Sequence, residues 1–172
     1  MEQEIALSAQ THRIHIQTLM ANAVDLAVRH VESGGLPFVG VLVGDDGWVS
    51  EAGVNLVRET GDPTAHAEIV AIRQAVCERP SGAAGAALLA TGEPCATCYR
   101  VAAAHGVSAV YYAVDRHTAA ESGFDYRAGY SSADRTHLQE TAQQLGVSRR
   151  LAPFTRYLEL HSTRSTPSTQ LR

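Results

Sequence analysis

Phe38-Val39-Gly40-Val41-Leu42-Val43, followed by Asp45-Asp46-Gly47 and Trp48-Val49, reads as a hairpin of two buried strands around a tight turn. Outward from it, the chain alternates. Upstream, residues 17–31 repeat apolar side chains with a helical period: Leu19, Met20, Ala23, Val24, Leu26, Ala27, Val28 and Val31, with Asn22, Asp25 and Arg29 on the polar face. Gly34 and Gly35 stop this helix. Downstream, Thr64 caps a helix whose inward stripe is Ile69, Ile72, Ala75 and Val76, ended by Pro80. Residues 87–91 then form a short apolar strand, Pro94 opens a further helix that Gly106 ends, and residues 107–114 form a strand rich in β-branched and aromatic side chains. Helix is also expected over residues 134–146 and 154–160. This order predicts a three-layer α/β/α sandwich with a mixed central sheet.

The length of 172 residues predicts a single domain over residues 1–160, with a polar, Ser/Thr-rich tail at 161–172 that is expected to be disordered. No run of about 18 apolar residues occurs, and the first residues show no secretion signal, so a cytoplasmic protein without membrane contact is expected. The net charge of −4, in a chain without lysine, leaves no general attraction for a polyanion, so nucleic acid is not an expected partner.

The chemistry concentrates in two helix starts, His66-Ala67-Glu68 and Pro94-Cys95-Ala96-Thr97-Cys98. Cysteines at i and i+3 share one side of a helix, and its first turn favours thiolate. Two thiolates and an imidazole leave one place open on a tetrahedral zinc ion, as catalytic sites do, and water there acquires a pKa of about 7. Glu68 is then the group that carries protons. Residues i and i+2 point apart on an ideal helix, so the ion must lie off the helix end. Taken singly, His66 also suits a structural histidine, and the Cys95/Cys98 pair a redox couple or half a zinc knuckle. Cys77 lies in the apolar stripe of the His66 helix and reads as core packing.

At these residues the chain resembles the cytidine deaminase superfamily, whose signature is His-x-Glu followed by Pro-Cys-x-x-Cys. Residues 62–68 (Asp-Pro-Thr-Ala-His-Ala-Glu) and 93–98 (Glu-Pro-Cys-Ala-Thr-Cys) are similar to the branch of guanine, cytosine and tRNA adenosine deaminases. The resemblance implies zinc, a small nucleobase or nucleoside as partner, a homodimer, and base contacts from Asn55 and the backbone of Ala67. It also offers Phe38 as a stacking ring, although a core aromatic accounts for Phe38 equally well, and a turn residue is the alternative for Asn55. Residues 117–125 are similar to the guanine-deaminase segment ending Gly-Phe-Asp, which brings Asp125 and Tyr126 to the pocket. Tyr126 replaces the second acid of that segment, and Val39-Gly40 replaces its usual Gly-Ala. The leading expectation is a guanine-like purine deaminase. Cytosine or cytidine deamination, tRNA adenosine deamination and a non-catalytic zinc-stabilised binding module are the competing readings.

Overall fold

A computed structural model describes residues 2–130 and 135–162, with side chains from residue 10 onward. The first helix, α1 (Glu2–Glu32), begins well before the periodic stretch. Strand β1 (Val39–Val43) and the two-residue β2 (Gly53–Val54) form the hairpin, followed by α2 (Val57–Thr60) and α3 (Ala67–Glu78). Next come β3 (Ala87–Gly92), α4 (Ala96–Ala104), β4 (Ala109–Val114) and α5 (Arg116–Glu121). A 3-10 turn (Arg127–Gly129), α6 (His137–Thr141), β5 (Gln143–Gln144) and α7 (Ala152–Ser162) complete the described chain.

The strand order is β2-β1-β3-β4-β5, with β1 antiparallel to β2 and β3, and β3, β4 and β5 parallel. Alternate side chains along each strand feed two cores, as a pleat covered on both faces demands. Val39, Val41, Val43, Leu89 and Ala113 meet Met20, Val24 and Ala27 of α1 and Phe154 of α7. On the opposite face, Leu42, Leu88 and Val110 meet Ile72 and Ala75 of α3 and Tyr99 and Ala102 of α4. This is the expected α/β/α sandwich.

Several local expectations are corrected. The hairpin's return strand is not Trp48-Val49, which contributes only a single bridge from Val49 to Val43; regular pairing resumes at Gly53. Between them the Ser50 hydroxyl accepts the Leu42 N–H at 2.9 Å, a side chain doing the work of a ladder carbonyl. Thr64 does not cap α3, because its backbone N–H and hydroxyl are both donated to Asp62. The residue facing the sheet in the last turn of α3 is Ala75, so Val76 is 47% exposed and Cys77 is exposed rather than core. Residues 134–146 are not one helix, since α6 stops at Thr141 and the chain turns extended to add β5 to the sheet. The expected disordered tail begins in helix, as α7 runs to Ser162; residues 163–172 lie outside the described residues.

Two glycines let α3 approach the sheet closely. A Cβ on Gly53 would lie 2.3 Å from the Ala67 carbonyl oxygen and 2.4 Å from the Ala71 nitrogen, and one on Gly40 would lie 2.9 Å from the Glu68 Cα. Gly40, the departure noted in the sequence, therefore sets how near the Glu68 backbone sits to β1. Gly53→Ala is expected to cost on the order of 2–3 kcal/mol in denaturant unfolding, because backbone rather than a flexible side chain blocks the methyl group. Gly146→Ala, with nothing within 4 Å of its Cβ position, should stay within about 0.5 kcal/mol of the parent.

Candidate active site

The His66 loop is built by short-range hydrogen bonding. The Asp62 carboxylate accepts the Thr64 N–H at 2.8 Å, the Thr64 hydroxyl at 2.6 Å and Arg73 Nη1 at 2.9 Å, tying the loop to the middle of α3. These bonds hold the Asp62 carboxyl down at about 2. His66 follows in extended conformation as the N-cap of α3. The imidazole therefore departs from the helix end while Glu68, one residue into the helix proper, turns beneath it, which resolves the i, i+2 conflict in the way the sequence required.

Cys95 is likewise the extended N-cap of α4, and Cys98 lies on its first turn. His66 Nδ1 is 3.5 Å from Cys95 Sγ and 3.4 Å from Cys98 Sγ, and the two sulfurs are 3.5 Å apart. Zinc bond lengths of about 2.3 Å to sulfur and about 2.0 Å to nitrogen separate neighbouring tetrahedral ligands by roughly 3.5–3.8 Å. The triangle thus has the dimensions and the donor set to hold zinc. Glu68 Oε2 is 3.4 Å from Cys98 Sγ and is buried.

The electrostatics are those of a closely packed cluster. Burial, reinforced by the Cys95 sulfur, pushes the Glu68 carboxyl up to about 7. The Cys98 hydrogen bond and then His66 pull the Cys95 thiol down to about 4, whereas Cys98 is pushed up by its bond to Cys95 and by burial. The Cys95 sulfur raises His66.

Beside the cluster lies a cavity of about 360 Å³ whose walls include Phe38, Asn55, His66, Glu68, Cys95, Phe124, Asp125 and Tyr126. Phe38 is held by the buried Thr91 hydroxyl, which accepts the Val39 N–H and donates to the Pro37 carbonyl, each at 3.0 Å. Its ring meets Phe124, Phe154 and Tyr126 edge-on, at centroid distances of 5.2, 5.6 and 6.3 Å. Asn55 Oδ1 accepts the Val57 N–H at 3.2 Å, so its amide NH₂ is the group left for the cavity. Asp125 is gripped by Arg127 through both oxygens, at 2.8 and 2.7 Å. The Tyr126 hydroxyl donates to the Glu93 carbonyl at 2.8 Å.

Eight of the nine residues singled out in the sequence thus come together. Ala67 does not join them: it is wholly buried, and its carbonyl lies against the glycines of β1 and β2. Arg127, 47% exposed, pairs with Asp125 at the rim of this group. Glu93, Gly123 and Phe124 also line the cavity. Glu93 and Phe124 stood in the recognised segments, but only the fold turns them inward.

Comparison with known proteins agrees with this geometry. Residues 13–114 match the family model of the cytidine and deoxycytidylate deaminase zinc-binding region. Guanine deaminase of Bacillus subtilis (strain 168) is 36% identical over 142 residues, covering 80% of this chain and 90% of that protein. The crystal structure of guanine deaminase from Bacillus subtilis superposes with a TM-score of 0.61 at 32% identity, over 90% of this chain and 96% of that one. The tRNA-specific adenosine deaminase 2 of Danio rerio is also 36% identical, but over 96 residues, 48% of this chain and 42% of that protein. The chain belongs to the cytidine and deoxycytidylate deaminase zinc-binding family and is a zinc-dependent hydrolytic deaminase.

Proposed function

We propose that this chain deaminates a free guanine-like purine, with zinc held by His66 Nδ1, Cys95 Sγ and Cys98 Sγ. Zinc supplies Lewis acidity, which makes water a competent nucleophile at neutral pH. Glu68 takes a proton from the attacking water and passes protons to the ring nitrogen and the departing amine. A carbon–oxygen bond forms, the exocyclic carbon–nitrogen bond breaks, and ammonia leaves. The observation that carries this reading is the Glu68 carboxylate, buried at the cavity, 3.4 Å from Cys98 Sγ and free of any salt bridge among the described residues. A purely structural zinc site has no use for such a group.

The walls favour an uncharged bicyclic base. Phe38, Phe124 and Tyr126 offer ring surface, and Asn55 offers hydrogen-bond donors to a carbonyl or ring nitrogen. Asp125 reaches the cavity already neutralised by Arg127. Among the described lining residues there is no lysine or arginine to take a phosphate. Arg58, Arg116 and Arg127 are committed to Tyr157, Glu93 and Asp125. This disfavours nucleotides and tRNA, and the guanine deaminase relative, matched over 90% of its length, supports guanine over cytosine or cytidine. A cytoplasmic homodimer is proposed on the family likeness, and sedimentation measures the dimer.

His66→Ala and Cys95→Ser should each reduce bound zinc from stoichiometric to trace in metal analysis, since two ligands do not hold the ion against chelator. Glu68→Ala should keep its zinc and lower kcat by about a thousandfold or more, the range set by general acid–base catalysis and more. Ammonia release across guanine, adenine, cytosine, cytidine and deoxycytidylate should be greatest for guanine and at least about a hundredfold lower for the nucleotide. Release from none of them by zinc-loaded protein would mean a binding module instead.

A further inference from the structure

Glu93 is a buried carboxylate at the cavity to which the reaction assigns no step. Its Oε2 accepts the Arg116 backbone N–H at 2.8 Å and its Oε1 accepts Arg116 Nη1 at 3.0 Å. Its own N–H donates to the Val114 carbonyl at 2.7 Å, and its carbonyl accepts the Tyr126 hydroxyl. The next carbonyl, of Pro94, accepts the Tyr130 hydroxyl, and the Arg116 guanidinium lies 4.4 Å above the Tyr130 ring. The peptide immediately before Cys95 is therefore fastened at five points to residues 114–130, the segment that supplies Gly123, Phe124, Asp125 and Tyr126 to the cavity. Cys95 has no side-chain cap bond of its own to fix it.

We infer that Glu93 is a positioning residue that couples the metal-ligand loop to the substrate-facing wall, so that ordering one orders the other. Burying an ion pair is a poor way to add stability, because desolvation offsets the attraction. It is a good way to enforce one geometry between two adjoining segments. The Tyr126 hydroxyl makes the same connection from the wall side. In place of a second acid, that position carries a strut to the ligand loop.

The inference rests on the deaminase reading of the cavity, and hydrogen exchange on the full chain tests it separately. In the parent, loading zinc should slow amide exchange over residues 116–130 by about tenfold. In Glu93→Ala this slowing should vanish while amides of α4 still respond to zinc, and the KM for guanine should rise by more than kcat falls. Arg116→Lys should restore part of the slowing that Arg116→Ala removes. Equal slowing in Glu93→Ala and parent, or none in the parent, overturns the coupling. If Glu93→Ala does not fold, Arg116→Ala and Tyr126→Phe decide, and parental slowing in both overturns it. A zinc-loaded parent inert toward guanine would sink the substrate reading alone, leaving the exchange result to stand or fall by itself.

Discussion

Strand direction is the constraint from which the site follows. β2 and β3 are both antiparallel to β1, so they run the same way, and β4 is parallel to β3. The loops leaving their carboxyl ends therefore emerge along a single edge of the sheet, the edge where open α/β sheets bind ligands. From β2 the chain leads to Asn55 and His66, from β3 to Cys95 and Cys98, and from β4 to Phe124 and Tyr126. Reversing any one of these strands would carry its contribution to the far side of the molecule. The close seat of α3 on Gly40 and Gly53 then brings the His66 end of that helix within reach of the α4 sulfurs.

Because His66 and Cys95 are N-caps rather than helical residues, each leaves its helix in extended conformation and projects beyond the first turn. Two helix ends thus face one small volume. Their partial positive charge favours anionic sulfur, and the apolar packing around Glu68 favours the protonated carboxyl. Opposite tendencies a few ångströms apart suit the proposed division of labour, in which the sulfurs hold metal and the carboxyl moves protons.

Much of this was legible in the sequence because the informative residues are short-range patterns. The period of α1, the Val39–Val43 run and the two helix starts each depend on neighbours within a few positions. What was not legible depends on partners far along the chain. Ser50 replaces a ladder carbonyl, Thr64 turns to Asp62 rather than to the helix, and Gln143-Gln144 becomes a strand only because β4 offers an open edge. Cys77 and Val76 fall on the apolar stripe by counting, yet the core extends only as far as Ala75 in that turn. Glu93 was visible as part of a motif, but its ion pair with Arg116 spans 23 positions and no local rule announces it.

Phe154 sits on α7, on the opposite face of the sheet from the helices that carry His66, Cys95 and Cys98, and still meets both Phe38 and Phe124. Tyr157, one turn later, packs on Phe124 and accepts a hydrogen bond from Arg58 of α2. The aromatic wall of the cavity is consequently backed by a helix that owns none of the reactive atoms. Sequence drift in α7 can retune which heterocycle enters while the hydrolytic apparatus is left alone, so selectivity and chemistry are free to diverge at different rates along this chain.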